Sequence, residues 1–234
     1  MLDTPVSIQT LFVFTTVLTL ILFIVAVGKG HNELTKKRTN ATALVVLGWS
    51  IFMATLALNG YFMIKNAMPP KLMVMIGTCL IFFLLLFNIK SGKKFIDGID
   101  GFWLTALHIV RIPVEIGLWW LAAEKLVPLA VTFEGSNFDI ISGITAPIMA
   151  WLVLKKEKSA RKILIAWNFL ALALLLNVVI TAALSLPSPM QQLNFDQPMR
   201  AVTSFPYMWL PTIIVPLVLF SHLAMLRRLL WTRA

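Results

Sequence analysis

Seven stretches of near-continuous apolar residues follow one another along the chain, at residues 7–27, 41–64, 72–89, 101–123, 137–154, 163–186 and 205–226. Each approaches the roughly 20 residues that a helix rising 1.5 Å per residue needs to cross roughly 30 Å of hydrocarbon. No period of two runs through them, as it would through barrel strands, and an open sheet would leave backbone groups unpaired in lipid. The pattern predicts an all-α polytopic membrane protein: a single seven-transmembrane-helix bundle over residues 1–234.

The connections carry the charge. Of the 20 Lys and Arg in the chain, 15 fall in the connections on one side: Lys29, Lys36, Lys37, Arg38, Lys90, Lys93, Lys94, Lys155, Lys156, Lys158, Arg161, Lys162, Arg227, Arg228 and Arg233. Lys65, Lys71, Lys125 and Arg200 fall on the other side, and Arg111 lies within a span. The positive-inside rule then predicts an outside N-terminus and a cytoplasmic C-terminus, as in the inner membrane of a bacterium. The net charge of +10 is thereby a topology signal and a contact with anionic membrane lipids. No soluble basic module is present to bind nucleic acid.

Composition supports the same class: 59% of residues are hydrophobic, 13% charged, and the mean hydropathy is +0.87. Ala26-Val27-Gly28 resembles a signal-peptidase site, but the basic cluster follows the apolar run instead of preceding it, so the first span reads as an uncleaved anchor. Asn40-Ala41-Thr42 is a glycosylation sequon on the predicted cytoplasmic side, and is read as chance. Cys79 is the lone cysteine, so the chain makes no internal disulfide.

Candidate chemistry concentrates in the fourth and seventh spans. His108, Arg111 and Glu115 share an arc of about 60° on one helix face, and Trp119 continues it. A lone charge there would cost about 2.5 to 3.5 kcal/mol on the lenient insertion scale, so Arg111 and Glu115, four apart, are expected to pair along the helix. Pro113 should kink that helix, and Pro211 and Pro216 should bend or break the seventh span. Tyr207, Pro211 and His222 share a face to within about 60°. Asp139, with Glu134 and Asn137, is expected to form an anionic outer mouth, with Ser136 or Asn137 capping the fifth span. Ser142, Ala146 and Ala150 make a small-residue stripe suited to close packing.

Similar depths of His108 and His222 leave a single haem between them as a reading, though no second histidine pair supports it. With only three histidines, His31 among the basic residues, no metal site is expected. A register that sets Trp49 against Trp167 and Asn59 against Asn177 gives a weak three-plus-one-plus-three repeat. Span count and orientation resemble those of microbial rhodopsins and of small sugar and vitamin transporters. Residues 205–226 contain no lysine, so covalent retinal is ruled out there. The expectation is a small-molecule or ion transporter with a polar site, His108, Arg111, Glu115, Trp119, Asp139, Tyr207 and His222, between the fourth and seventh spans. The alternatives are a seven-helix sensor or ligand-binding protein and, with no nucleophile or cofactor fingerprint to support it, an intramembrane enzyme or haem protein. No catalytic residue is assigned.

Overall fold

The computed structural model describes residues 2–30, 35–63, 67–155 and 157–231, with no strand among them. His31, Lys65, Lys156 and Arg233 lie outside the described residues. The α-helices are α1 (Val6–Gly28), α2 (Thr35–Leu58), α3 (Lys71–Asn88), α4 (Lys90–Asp97), α5 (Gly101–Ala106), α6 (Arg111–Ala123), α7 (Ile140–Val153), α8 (Lys158–Leu184) and α9 (Val215–Trp231). A 3-10 segment, Leu107–Val110, joins α5 to α6, and a π-helical turn, Leu210–Ile214, leads into α9. Six of the resulting helical runs are long and apolar enough to cross a membrane: α1, α2, α3, the run 101–123, α8 and the run 210–231. The apolar stretch 137–154 yields the shorter α7, whose 14 residues reach only about 21 Å.

The second apolar run ends early. Its helix stops at Leu58, and Gly60 follows with φ of +71°, a backbone state that favours glycine. At its other end the helix begins at Thr35, ahead of the basic residues that bounded the apolar stretch. A short helix, α4, was not expected from the apolar pattern. The bidentate pair of Arg227 with Asp97, 2.9 Å at both contacts, ties it to the end of α9.

The runs 101–123 and 210–231, with α1, bury the largest shares of their surfaces, whereas α2 and α3 are mostly exposed and flank the bundle. Close approach at the centre is set by two glycines. A Cβ on Gly117 would come within 2.6 Å of the Phe12 ring on α1, and one on Gly143 would sit 3.0 Å from the backbone nitrogen of Ile112. The small stripe Ser142, Ala146 and Ala150 is buried on the same helix as Gly143. Most hydroxyls inside the helices answer themselves: Thr15, Thr16, Thr19, Thr105 and Ser221 donate to the carbonyl four residues earlier.

Pro216 explains how α2 is attached. Its missing N–H leaves the carbonyl of Thr212 without its helical partner, and that carbonyl accepts from Trp49 Nε1 of α2 at 3.1 Å. Trp209 Nε1 donates in return to the carbonyl of Ser50 at 3.0 Å. The expected repeat partners, Trp49 and Trp167, thus have different bonds, since Trp167 Nε1 donates to Thr145 Oγ1. Likewise Asn59 donates within its own helix and Asn177 to the carbonyl of Ser136.

In detergent unfolding, Trp49→Phe should destabilise the protein by about 1 to 3 kcal/mol, because the Thr212 carbonyl is left with only the weak thiol donor of Cys79 at 3.9 Å. In a Pro216→Ala background the restored backbone N–H can take that carbonyl, so the same change should cost less, with a coupling of about 0.5 kcal/mol or more. Equal costs in the two backgrounds would refute the account.

Candidate intramembrane binding site

The break between α5 and α6 is what assembles the site. Pro113 falls in the first turn of α6, where a missing N–H is tolerated, and the backbone ahead of it tightens into the 3-10 segment. His108 sits in that segment, Arg111 opens α6, and Glu115 follows one turn later. The approach permitted by Gly143 sets α7 against Ile112 and the Cβ of Arg111. Asp139, immediately before α7, is carried with it into the bundle interior.

Arg111 does not choose Glu115. Its Nη1 lies 3.0 Å from Asp139 Oδ1 as a charge contact and donates to the Ala171 carbonyl of α8 at 3.3 Å. Its Nη2 donates to His222 Nε2 of α9 at 3.0 Å. The expected pairing along the helix gives way because a cation N-terminal to its acid is the poorer i,i+4 order, while Asp139 approaches from another helix. His222 then accepts at Nε2 and donates from Nδ1 to Asn168 Oδ1 at 2.9 Å, and Asn168 Nδ2 donates to the Leu164 carbonyl at 2.8 Å. One polarised chain runs from the guanidinium through a neutral imidazole into the backbone of α8.

Glu115 is held differently. Its Oε1 accepts from Asn137 Nδ2 at 2.6 Å, and that amide also donates to the Val131 carbonyl. Asn137 Oδ1 accepts from the backbone N–H of Asp139 at 3.0 Å, so Asn137 orders the turn ahead of α7, and the helix begins at Ile140. Glu115 Oε2 has no protein partner, although the residue is 1% exposed. Instead of a solvated mouth, Asp139 and Asn137 are buried, 4% and 0% exposed.

His108 and His222 do come together, with ring centroids 4.0 Å apart and planes 31° from parallel, and Trp167 packs edge-on to His108. That stacking does not fit a haem, whose iron would need a nitrogen of each ring pointing at it from opposite faces. Both nitrogens of His222 are already committed to Arg111 and Asn168. Among the described residues no group of His, Cys, Asp and Glu is arranged to hold a metal.

Two other expected site residues stand apart. Trp119 is 38% exposed and stacks on Phe133, and Tyr207 bonds its hydroxyl to Thr4 Oγ1 at 2.6 Å with its ring against Phe12. Asn168 and Asn137 join the network instead. Their only sequence signal is an amide in an apolar neighbourhood.

A cleft of about 120 Å³ reaches the charged cluster. Its walls come from α3, α6, α8 and the π turn, and Arg111, Glu115 and Asp139 are the only polar side chains in them. The segment 185–209 closes the adjoining end: Gln197 Nε2 donates to the carbonyls of Ala122 and Val127, and the N–H groups of Arg200 and Ala201 to that of Leu126.

The network can be tested without a ligand. Arg111→Met alone should destabilise the protein by about 3 to 5 kcal/mol, because Asp139 is left as an uncompensated buried charge. Adding Asp139→Asn should recover most of that loss in thermal unfolding. Additive losses would show that the two residues do not act as a pair.

No curated protein and no solved structure matches the chain. A protein family described as Domain of unknown function (DUF8737) matches residues 69–230, which include every member of the buried polar network. The chain belongs to that family.

Proposed function

We propose that this protein is an integral membrane transporter of a small molecule or ion, working from the site among α6, α7, α8 and α9. The observation that carries the reading is the Arg111 cluster: one cation, two carboxylates and a histidine are buried inside the bundle, and a cleft lined otherwise by apolar residues leads to them. Ionisable groups in hydrocarbon are costly and by default point to a ligand or ion pathway. Two of the helical runs that supply the cluster are interrupted, one next to Arg111 by the 3-10 segment and the other by the π turn in the cleft wall, and broken helices characteristically line substrate paths.

The same reading takes α7 as a seventh span, with the N-terminus outside and the C-terminus in the cytoplasm of a bacterium. The charge asymmetry of the connections supports it. A span of about 21 Å suffices because Asp139 starts below the surface, roofed by the 124–138 connection.

A reporter active only in the cytoplasm should work when fused after Ala234 and fail when inserted near Met190; the reverse pattern would invert the orientation. In reconstituted membranes, a screen of organic cations, organic anions and inorganic ions by capacitive current should find a transported class. Glu115→Gln should reduce that current at least tenfold while preserving the fold. Binding with no current for any class would turn the reading into that of a ligand sensor, and a current indifferent to Glu115→Gln would remove the site.

A further inference from the structure

We propose that the ligand is a lipophilic ammonium, an amine on an alkyl or aryl body, and that it enters sideways from the bilayer through the gap between α3 and α8. This rests on the intramembrane-site reading above and names its ligand. Leu72, Met73 and Ile76 of α3 face Leu175, Val178 and Val179 of α8 across the cleft. Several of these wall residues are only half-buried, so the wall continues to the lipid-facing surface. An apolar body is at home there, and the only polar anchor is at the inner end.

Charge decides the head group. Asp139 is answered by Arg111, whose Nη1 and Nη2 also donate to Ala171 and His222 while its Nε has no partner. The second carboxylate, Glu115, has an amide on Oε1 and nothing from the protein on Oε2. Two carboxylates against one guanidinium leave one negative charge in a site walled by hydrocarbon, and an ammonium against Oε2 would neutralise it and supply the missing donor. A carboxylate or phosphate head would add a third anion against a single guanidinium.

Neither α3 nor α8 contributes a titratable side chain to the cleft wall, so Arg111 and Asp139 are the charged groups that share that wall with Glu115. In the empty site a proton can balance the excess charge. Arrival of the ammonium on Glu115 then releases that proton, and the sum of charges is unchanged.

The test uses the full-length protein in nanodiscs, with empty discs as the partition control. Radiolabelled octylammonium should bind saturably, and octanoate and octanol should not. Binding should weaken at least tenfold in Glu115→Gln and in Val179→Trp, which fills the cleft without touching the charges, and about one proton should be released per amine in weakly buffered solution. Thermal unfolding establishes that each variant is folded, and the comparison of head groups on the wild type needs no variant. Saturable octanoate binding, amine binding within twofold of wild type in Val179→Trp, or binding without proton release would overturn the proposal. Amine binding with no transport current would retire the transport reading and leave the ligand class standing. Current for other solutes without amine binding would do the reverse.

Discussion

A guanidinium inside hydrocarbon cannot shed its proton and cannot be left alone. Arg111 is 2% exposed, and much of the centre of this bundle can be read as the set of contacts that make that tolerable. It draws one partner from each of three other elements: Asp139 ahead of α7, the Ala171 carbonyl of α8 and His222 of α9. The glycine at 143 lets α7 approach closely enough to bring Asp139 to Arg111, and the amide at 168 holds His222 in place. A bundle held by apolar packing alone would have many nearly equivalent helix arrangements in lipid, where the hydrophobic effect does not favour one helix contact over another.

The same logic governs the prolines. Each one inside a helical run removes a hydrogen bond that lipid cannot replace. At Pro216 the freed carbonyl of Thr212 is met by a tryptophan from α2, so the defect in one helix becomes the attachment of another. At Pro113 the defect is absorbed locally, as the 3-10 segment that turns His108 onto His222. Breaks placed next to a charged cluster also give the backbone a place to rearrange, and the polar groups there have partners on four different elements that any such movement must exchange.

The cluster is not symmetrically satisfied, and that asymmetry separates structural polarity from functional polarity. The chain Arg111, His222, Asn168, Leu164 runs unbroken from Arg111 Nη2 to the backbone of α8, while Arg111 Nε has no partner. Glu115 is half closed: its free oxygen belongs to a residue in the wall of the cleft that reaches the network. A group that served only to glue helices would be expected to use both oxygens on protein donors.

The sequence determined the class of protein and the identity of its costly residues. Apolar runs of membrane-spanning length, separated by basic connections, are a one-dimensional property, because each helix satisfies its own backbone whatever its neighbours do. The end of α1 and the helical run 101–123, with Arg111 and Glu115 inside it, followed from that alone. Partner choice did not. Which carboxylate meets Arg111 depends on the distance between helices far apart in sequence, and that distance is set by a missing Cβ at Gly143 and a freed backbone at Pro113. Helix-face arithmetic grouped His108, Arg111 and Glu115 on one side, and all three are buried. It left Asn137 and Asn168 outside the site, kept Trp119 and Tyr207 within it, and put Asp139 in a solvated mouth. Only the tertiary structure, by stacking two histidines and laying Asp139 against Arg111, decided which of these polar residues meet, since a charge in lipid takes the nearest partner in space and not along the chain.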